Sequence, residues 1–117
     1  MESSVLVTKS ENFALRIIKM CRVLHDKKEF IISNQIFRSG TSIGANIAES
    51  VFASSKADFI NKLHIALKET RETEYWLNLL LKSETIKDIE YKSMINDLKE
   101  ILKILISTVK TSKQKQG

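Results

Sequence analysis

No proline occurs in this chain of 117 residues, and only three residues are glycine. Tight turns draw on those two residue types, and hairpin loops above all need backbone conformations that glycine reaches most cheaply. A β-sandwich or barrel, with its many hairpins, is therefore disfavoured. Long helices with few connections suit such a chain. The length is enough for one domain around one core and too short for two.

Four amphipathic segments follow the 3.6-residue period. In the first, Phe13, Ile17, Met20 and Leu24 form a stripe that Ala14, Ile18 and Cys21 widen; its start lies near Ser4 or Ser10. Asp26-Lys27-Lys28-Glu29 is a polar break. The second runs from about Glu29 to Ser54, with Ile32, Ile36, Ile43, Ile47 and Val51 on one side. Ser55 with Asp58 resembles a capping box with a shortened acid, and Asp58 suits the positive end of a helix dipole. The third segment then reaches Lys82, showing Phe59, Leu63, Ala66, Thr70, Leu77 and Leu81, broadened by Ile60, Leu67 and Leu80. The fourth starts at or soon after Ile86 and carries Tyr91, Ile95, Leu98, Leu102, Leu105 and Val109 at heptad spacing. Together these predict an all-α protein, an antiparallel up-down-up-down four-helix bundle. The expected domain covers residues 1–110. Residues 111–117, made of Thr, Ser, Lys, Gln and Gly, form a polar tail with too little apolar surface to order itself.

The stretch Arg38 to Glu49 holds two of the three glycines inside the second segment. Glycine in a helix interior costs about 1 kcal/mol relative to alanine, so the pair needs a compensating role. Gly40, Gly44 and Ala48 recur every four residues and make a smooth stripe that another helix can approach closely. A continuous helix through the glycines keeps Ile36, Ile43 and Ile47 in phase; the alternative is a kink near Ser39-Gly40.

Net charge is +5, spread unevenly. Residues 1–54 carry seven basic and five acidic groups, residues 55–84 five of each, and residues 85–117 seven and four. Lys110, Lys113 and Lys115 supply the last excess. A nucleic-acid binder clusters its basic residues on one face, and that signal is weak in the bundle itself. Single Cys21 excludes an intrachain disulfide. The first ten residues lack a basic region leading into an apolar core, and no apolar run approaches the roughly 20 residues that span a bilayer. The expected location is the cytoplasm, with no membrane contact.

Catalytic and cofactor signatures are missing from the pattern. His25 and His64 have no Glu three residues before them, so the Glu-x-x-His pairs of a di-metal bundle do not form. No Gly-Lys-Ser/Thr loop follows a strand, and Cys21 sits in an apolar stripe as a small hydrophobe. No enzyme activity, metal or cofactor is expected. Glu69 and Glu72 share a helix face and are expected to pair with basic neighbours, Lys68 or Arg38, at about 0.2–0.5 kcal/mol per exposed pair.

Asn46 and Glu49 sit close to core positions, where a polar group must find a partner. Either an internal network serves them, through Arg38, Thr41, Ser42 or the third helix, or a neighbouring subunit does. Adjacent Tyr75 and Trp76 point about 100° apart, so one of them lies at a rim or interface. The candidate packing and oligomer-interface residues are therefore Arg38, Gly40, Gly44, Asn46, Ala48, Glu49, Tyr75 and Trp76. Candidate nucleic-acid contacts are Arg16, Lys19, Arg22, Lys103, Lys110, Lys113 and Lys115.

Several runs carry a family resemblance: Phe13-Ala-Leu-Arg-Ile17, Arg38 through Glu49, Ser55-Lys-Ala-Asp-Phe-Ile60, and Ile65 through Leu77. In that order they resemble the bacterial four-helix bundle proteins encoded in intervening sequences of 23S ribosomal RNA genes. The accessory variability proteins of diversity-generating retroelements are a related branch. The resemblance covers roughly Phe13 to Leu81 and implies a bundle assembling into a homopentamer, with RNA or DNA as a candidate partner. For the retroelement branch it implies a reverse transcriptase as protein partner and a strongly basic ring, from which this chain departs by carrying its excess in the tail. A protein-interaction scaffold is the competing expectation.

Overall fold

The computed structural model describes residues 2–114 as four helices: α1 (Glu2–Asp26), α2 (Phe30–Val51), α3 (Lys56–Lys82) and α4 (Asp88–Gln114). Helices neighbouring in sequence pack together, and α4 closes back on α1. Cross-helix bonds show the directions. Lys9 pairs with Glu100 while Arg16 further along α1 pairs with the earlier Asp97, and Arg38 reaches Glu69 and Glu72 while the later Glu49 meets the earlier Lys62. Each pair is antiparallel, giving the up-down-up-down bundle, with extents of 49 × 22 × 19 Å.

The connections use the glycines' special freedom at positions that are not glycine. Lys28 and Glu84 both have left-handed backbone, at φ 63° and 62°. Each follows a helix end closed by two backbone bonds. Glu29 N–H donates to the Leu24 carbonyl and Lys28 N–H to that of His25; Thr85 donates to Leu80 and Glu84 to Leu81. These are Schellman closures, where glycine is the usual residue. At α3 the Ser55 half of the capping box forms as expected, Ser55 Oγ accepting from Asp58 N–H at 3.0 Å, while Asp58 accepts from the N–H of Ser54, one residue before the N-cap.

The core draws on all four helices, from Leu6, Phe13, Ile17 and Leu24 through Ile36, Ile43, Ile47, Leu63 and Leu77 to Leu98 and Leu105. Three details differ from the sequence pattern. On α4 the buried seam is Met94, Leu98, Ile101, Leu105 and Thr108, joined by Ile95 and Val109, with Leu102 and Tyr91 only partly covered. Four of the six expected seam residues, Ile95, Leu98, Leu105 and Val109, are thus in the core, while Met94, Ile101 and Thr108 replace Tyr91 and Leu102, because two overlapping 3-4 patterns run through this isoleucine- and leucine-rich helix. Val51 is 53% exposed rather than in the core, since α2 ends there. Small polar side chains, Ser33, Ser39, Ser50, Thr70 and Thr73, take core positions along α2 and α3. α4 stays helical to Gln114, beyond the expected start of the tail at residue 111; residues 115–117 lie outside the described part.

Candidate functional site: two seams of α2 and the exposed cations

α2 passes through both glycines without a kink, with neither glycine at positive φ. Gly40 and Gly44 do what the stripe suggests. A Cβ built on Gly40 would lie 2.8 Å from Ile17 Cγ1, and one on Gly44 would lie 3.3 Å from the Ser10 carbonyl oxygen. The missing side chains therefore let α1 seat directly against α2. Ala48, one turn further, is exposed. It lines an open groove of about 180 Å³ between α1 and α2, together with Val7, Ala14, Thr41, Gly44 and Ala45.

The polar members of the stretch turn the other way, toward α3. Arg38 Nη1 donates to Glu69 at 2.9 Å and Nη2 to Glu72, while the Trp76 indole N–H donates to the same Glu72 carboxylate at 3.0 Å. Lys62 Nζ meets Glu49 at 3.0 Å. Buried Thr73 donates to Ser39 Oγ at 2.9 Å. The Trp76 bond first, and Arg38 after it, hold the Glu72 carboxyl below the usual glutamate range. Arg38 and Trp76 both donate to Glu72 Oε2, and Lys68 makes no ion pair among the described residues. Asn46 resolves its burial locally by donating to the Ser42 carbonyl at 2.9 Å. Of the two adjacent aromatics, Tyr75 is the rim residue, 55% exposed, and Trp76 is half-buried. The eight candidate interface residues thus do not form one site. Arg38, Glu49 and Trp76 belong to the α2–α3 seam, Gly40, Gly44 and Ala48 to the α1–α2 seam.

A feature that the sequence pattern already held but the core stripe concealed is a second apolar line on α2. Phe30, Phe37, Ala45, Ala48 and, just past the helix end, Phe52 recur at helical spacing with polar Asn34 and Thr41 between them, on the side of α2 that its core stripe leaves outside the bundle. Phe52 is 88% exposed and Ile31, beside Phe30, is 85% exposed. The charged residues on α2 are Arg38 and Glu49, and both are already paired with α3.

The candidate nucleic-acid residues spread over the molecule. Arg16 is committed to α4 at the bundle surface, donating to Asp97 at 2.5 Å and to Ser93 Oγ at 2.8 Å across the α1–α4 contact. Lys19 and Arg22 are exposed further along α1; Lys103, Lys110 and Lys113 are exposed on α4. None of these five makes an ion pair among the described residues. Lys115 lies outside that part. Lys99, which the charge distribution alone did not single out, lies in helical register with Lys103.

No chemistry gathers elsewhere. Among the described residues no group of three His, Cys, Asp or Glu side chains could hold a metal ion, and no helix is long and apolar enough to cross a membrane. Burial pushes the Cys21 thiol up, away from reactivity. His25 packs edge-on to Phe30, ring centroids 5.2 Å apart.

Residues 2–107 match the family model described as 23S rRNA-intervening sequence protein. A crystal structure of a protein of unknown function from the S23 ribosomal protein family, from Bacteroides thetaiotaomicron, is 54% identical, with a TM-score of 0.91. The match covers 94% of this chain and 99% of that one. No curated protein matches.

Proposed function

The chain belongs to the family of 23S rRNA-intervening sequence proteins, and from that premise we propose that it works without catalysing a reaction, as a bundle that joins copies of itself into a ring of five. The observation that carries this reading is the two-sided α2. One chain buries only one side of this helix, and the outer side carries Phe30, Phe37 and, at its end, Phe52, which are 49%, 45% and 88% exposed. Exposed apolar surface of that extent marks an interaction site. A ring requires a heterologous contact, in which this face meets a different face of the next copy. Light scattering on the eluting protein tests it: the reading expects a mass near five times the 13.4 kDa chain. Ala45→Glu, at an exposed position on the stripe, should reduce that mass while leaving helix content unchanged.

The unpaired lysines favour a second element of the same reading, a cytoplasmic role on RNA or DNA through phosphate contacts. It predicts an affinity whose logarithm falls with the logarithm of salt. Exposed Phe52, at the end of α2, instead favours a scaffold or adaptor for another protein, such as an accessory factor to a reverse transcriptase. That alternative predicts a discrete protein partner in pull-downs, lost on Phe52→Ser, with no salt-steep nucleic-acid binding.

A further inference from the structure

Lys99, Lys103, Lys110 and Lys113 are exposed, and none makes an ion pair among the described residues. At 100° per residue they fall within an arc of about 80°, and they span about 21 Å of the α4 axis. Ile106 is the apolar group on the same line, 46% exposed. The acidic residues of α4 that could neutralise the line are already placed: Asp97 and Glu100 are turned to Arg16 and Lys9 of α1, and Asp88 to Lys92. No acidic residue follows Glu100 in the sequence. The result is a ridge of one sign on a single continuous helix.

We propose that this ridge of α4 is the surface on which the protein holds the phosphate backbone of RNA, a proposal that rests on the nucleic-acid element of the preceding reading and gives it a place. A duplex carries about one phosphate charge per 3.4 Å of axis on each strand, so a 21 Å ridge laid along one strand faces about six, and binding needs no base readout. A membrane surface suits it poorly. Helices that lie on anionic lipid pair their basic face with bulky apolar side chains free to insert, whereas the apolar face of α4 is occupied by the core. Favourable placement at the negative end of the helix dipole does not account for the ridge either. That effect fades beyond the last turn, and Lys99 and Lys103 lie well before it.

The test compares the full chain with two triple variants of equal charge, using a labelled RNA duplex of arbitrary sequence and fluorescence anisotropy over 50–200 mM salt. Lys99→Gln/Lys103→Gln/Lys110→Gln removes the ridge. Lys27→Gln/Lys82→Gln/Lys87→Gln removes three exposed lysines at the opposite end of the bundle. Lys and Gln have nearly equal helix propensity, and circular dichroism verifies that both variants fold. With a slope of about 0.9 per phosphate contact, losing three contacts makes the fall in affinity between those salt concentrations about 40-fold shallower. The ridge variant should show that loss and the opposite-end variant should keep the original slope. Equal loss in both variants, or none in the ridge variant while the unaltered chain binds steeply, overturns the ridge and leaves RNA binding standing. Failure of the unaltered chain to bind at 50 mM salt, or binding to phosphatidylserine vesicles instead, overturns both.

Discussion

Gly40→Ala is the substitution whose outcome separates helix propensity from helix packing. Propensity alone favours alanine by about 1 kcal/mol. The new Cβ would stand 2.8 Å from Ile17 Cγ1, 3.0 Å from Cδ1 and 3.1 Å from Cγ2. Ile17 is fully buried and, being β-branched, has little freedom at χ1. Overpacking of this kind costs about 1–3 kcal/mol, so the balance is a net loss of roughly 1 kcal/mol. That corresponds to a melting temperature lower by about 4 °C for a domain of this size. At Gly44 the nearest atom is the Ser10 carbonyl oxygen at 3.3 Å, and the two effects should nearly cancel. Urea unfolding at one fixed chain concentration reads the difference, since any assembly makes stability concentration-dependent. Ile17→Val, which removes Cδ1, should cost about 0.5–1.5 kcal/mol alone yet soften the Gly40→Ala penalty in the double variant. A Gly40→Ala protein more stable by about 1 kcal/mol would refute the claim that close approach of α1 dictates glycine there.

Other outcomes follow from the same geometry. Lys28→Gly and Glu84→Gly relieve left-handed backbone at residues with side chains, so each should stabilise by about 0.5–1 kcal/mol in urea unfolding. Ser33 Oγ is buried with no hydrogen-bond partner among the described residues, and Ser33→Ala should raise stability by about 1 kcal/mol, with the midpoint moving and the slope unchanged. The Glu72 carboxyl is depressed by its bonds to Trp76 and Arg38. A depressed acid contributes stability above its unfolded pKa and loses it as pH falls through the lower folded value. Carbon-detected titration should find Glu72 below the ordinary glutamate range, and Trp76→Phe should move it upward; no movement would assign the depression elsewhere.

How much of this could be read from sequence depends on the kind of residue. The absence of proline, the four periodic segments and the Ser55–Asp58 cap lead directly to the helices, because local periodicity and capping chemistry act within a few residues. The packing role of Gly40 and Gly44 was legible too, since a helix tolerates such a cost only against a close neighbour. The partners of Arg38 and Trp76 were only half legible. Glu69 and Glu72 were among the candidates, but that one arginine reaches both, 31 and 34 residues away, depends on how α2 slides along α3. The α4 seam was legible for Ile95, Leu98, Leu105 and Val109 but not for Met94 and Ile101, because isoleucine and leucine occupy too many positions for spacing to choose between two adjacent stripes. The small polar core of Ser39 and Thr73 gives no hydrophobic signal. The basic ridge of α4 hid in plain view: a charge tally over residues 85–117 spreads Lys99 among its acidic neighbours, and only the helical register lines it up with Lys103.

A ring of five needs the outer side of α2 to be covered by another copy of the chain. Mass in solution by light scattering measures this directly, at micromolar concentration and moderate salt. The predicted result is a single species near five times the chain mass, which Ala45→Glu breaks down without loss of helix. A monodisperse monomer of 13.4 kDa would contradict it and leave the second apolar line of α2 without its proposed cover.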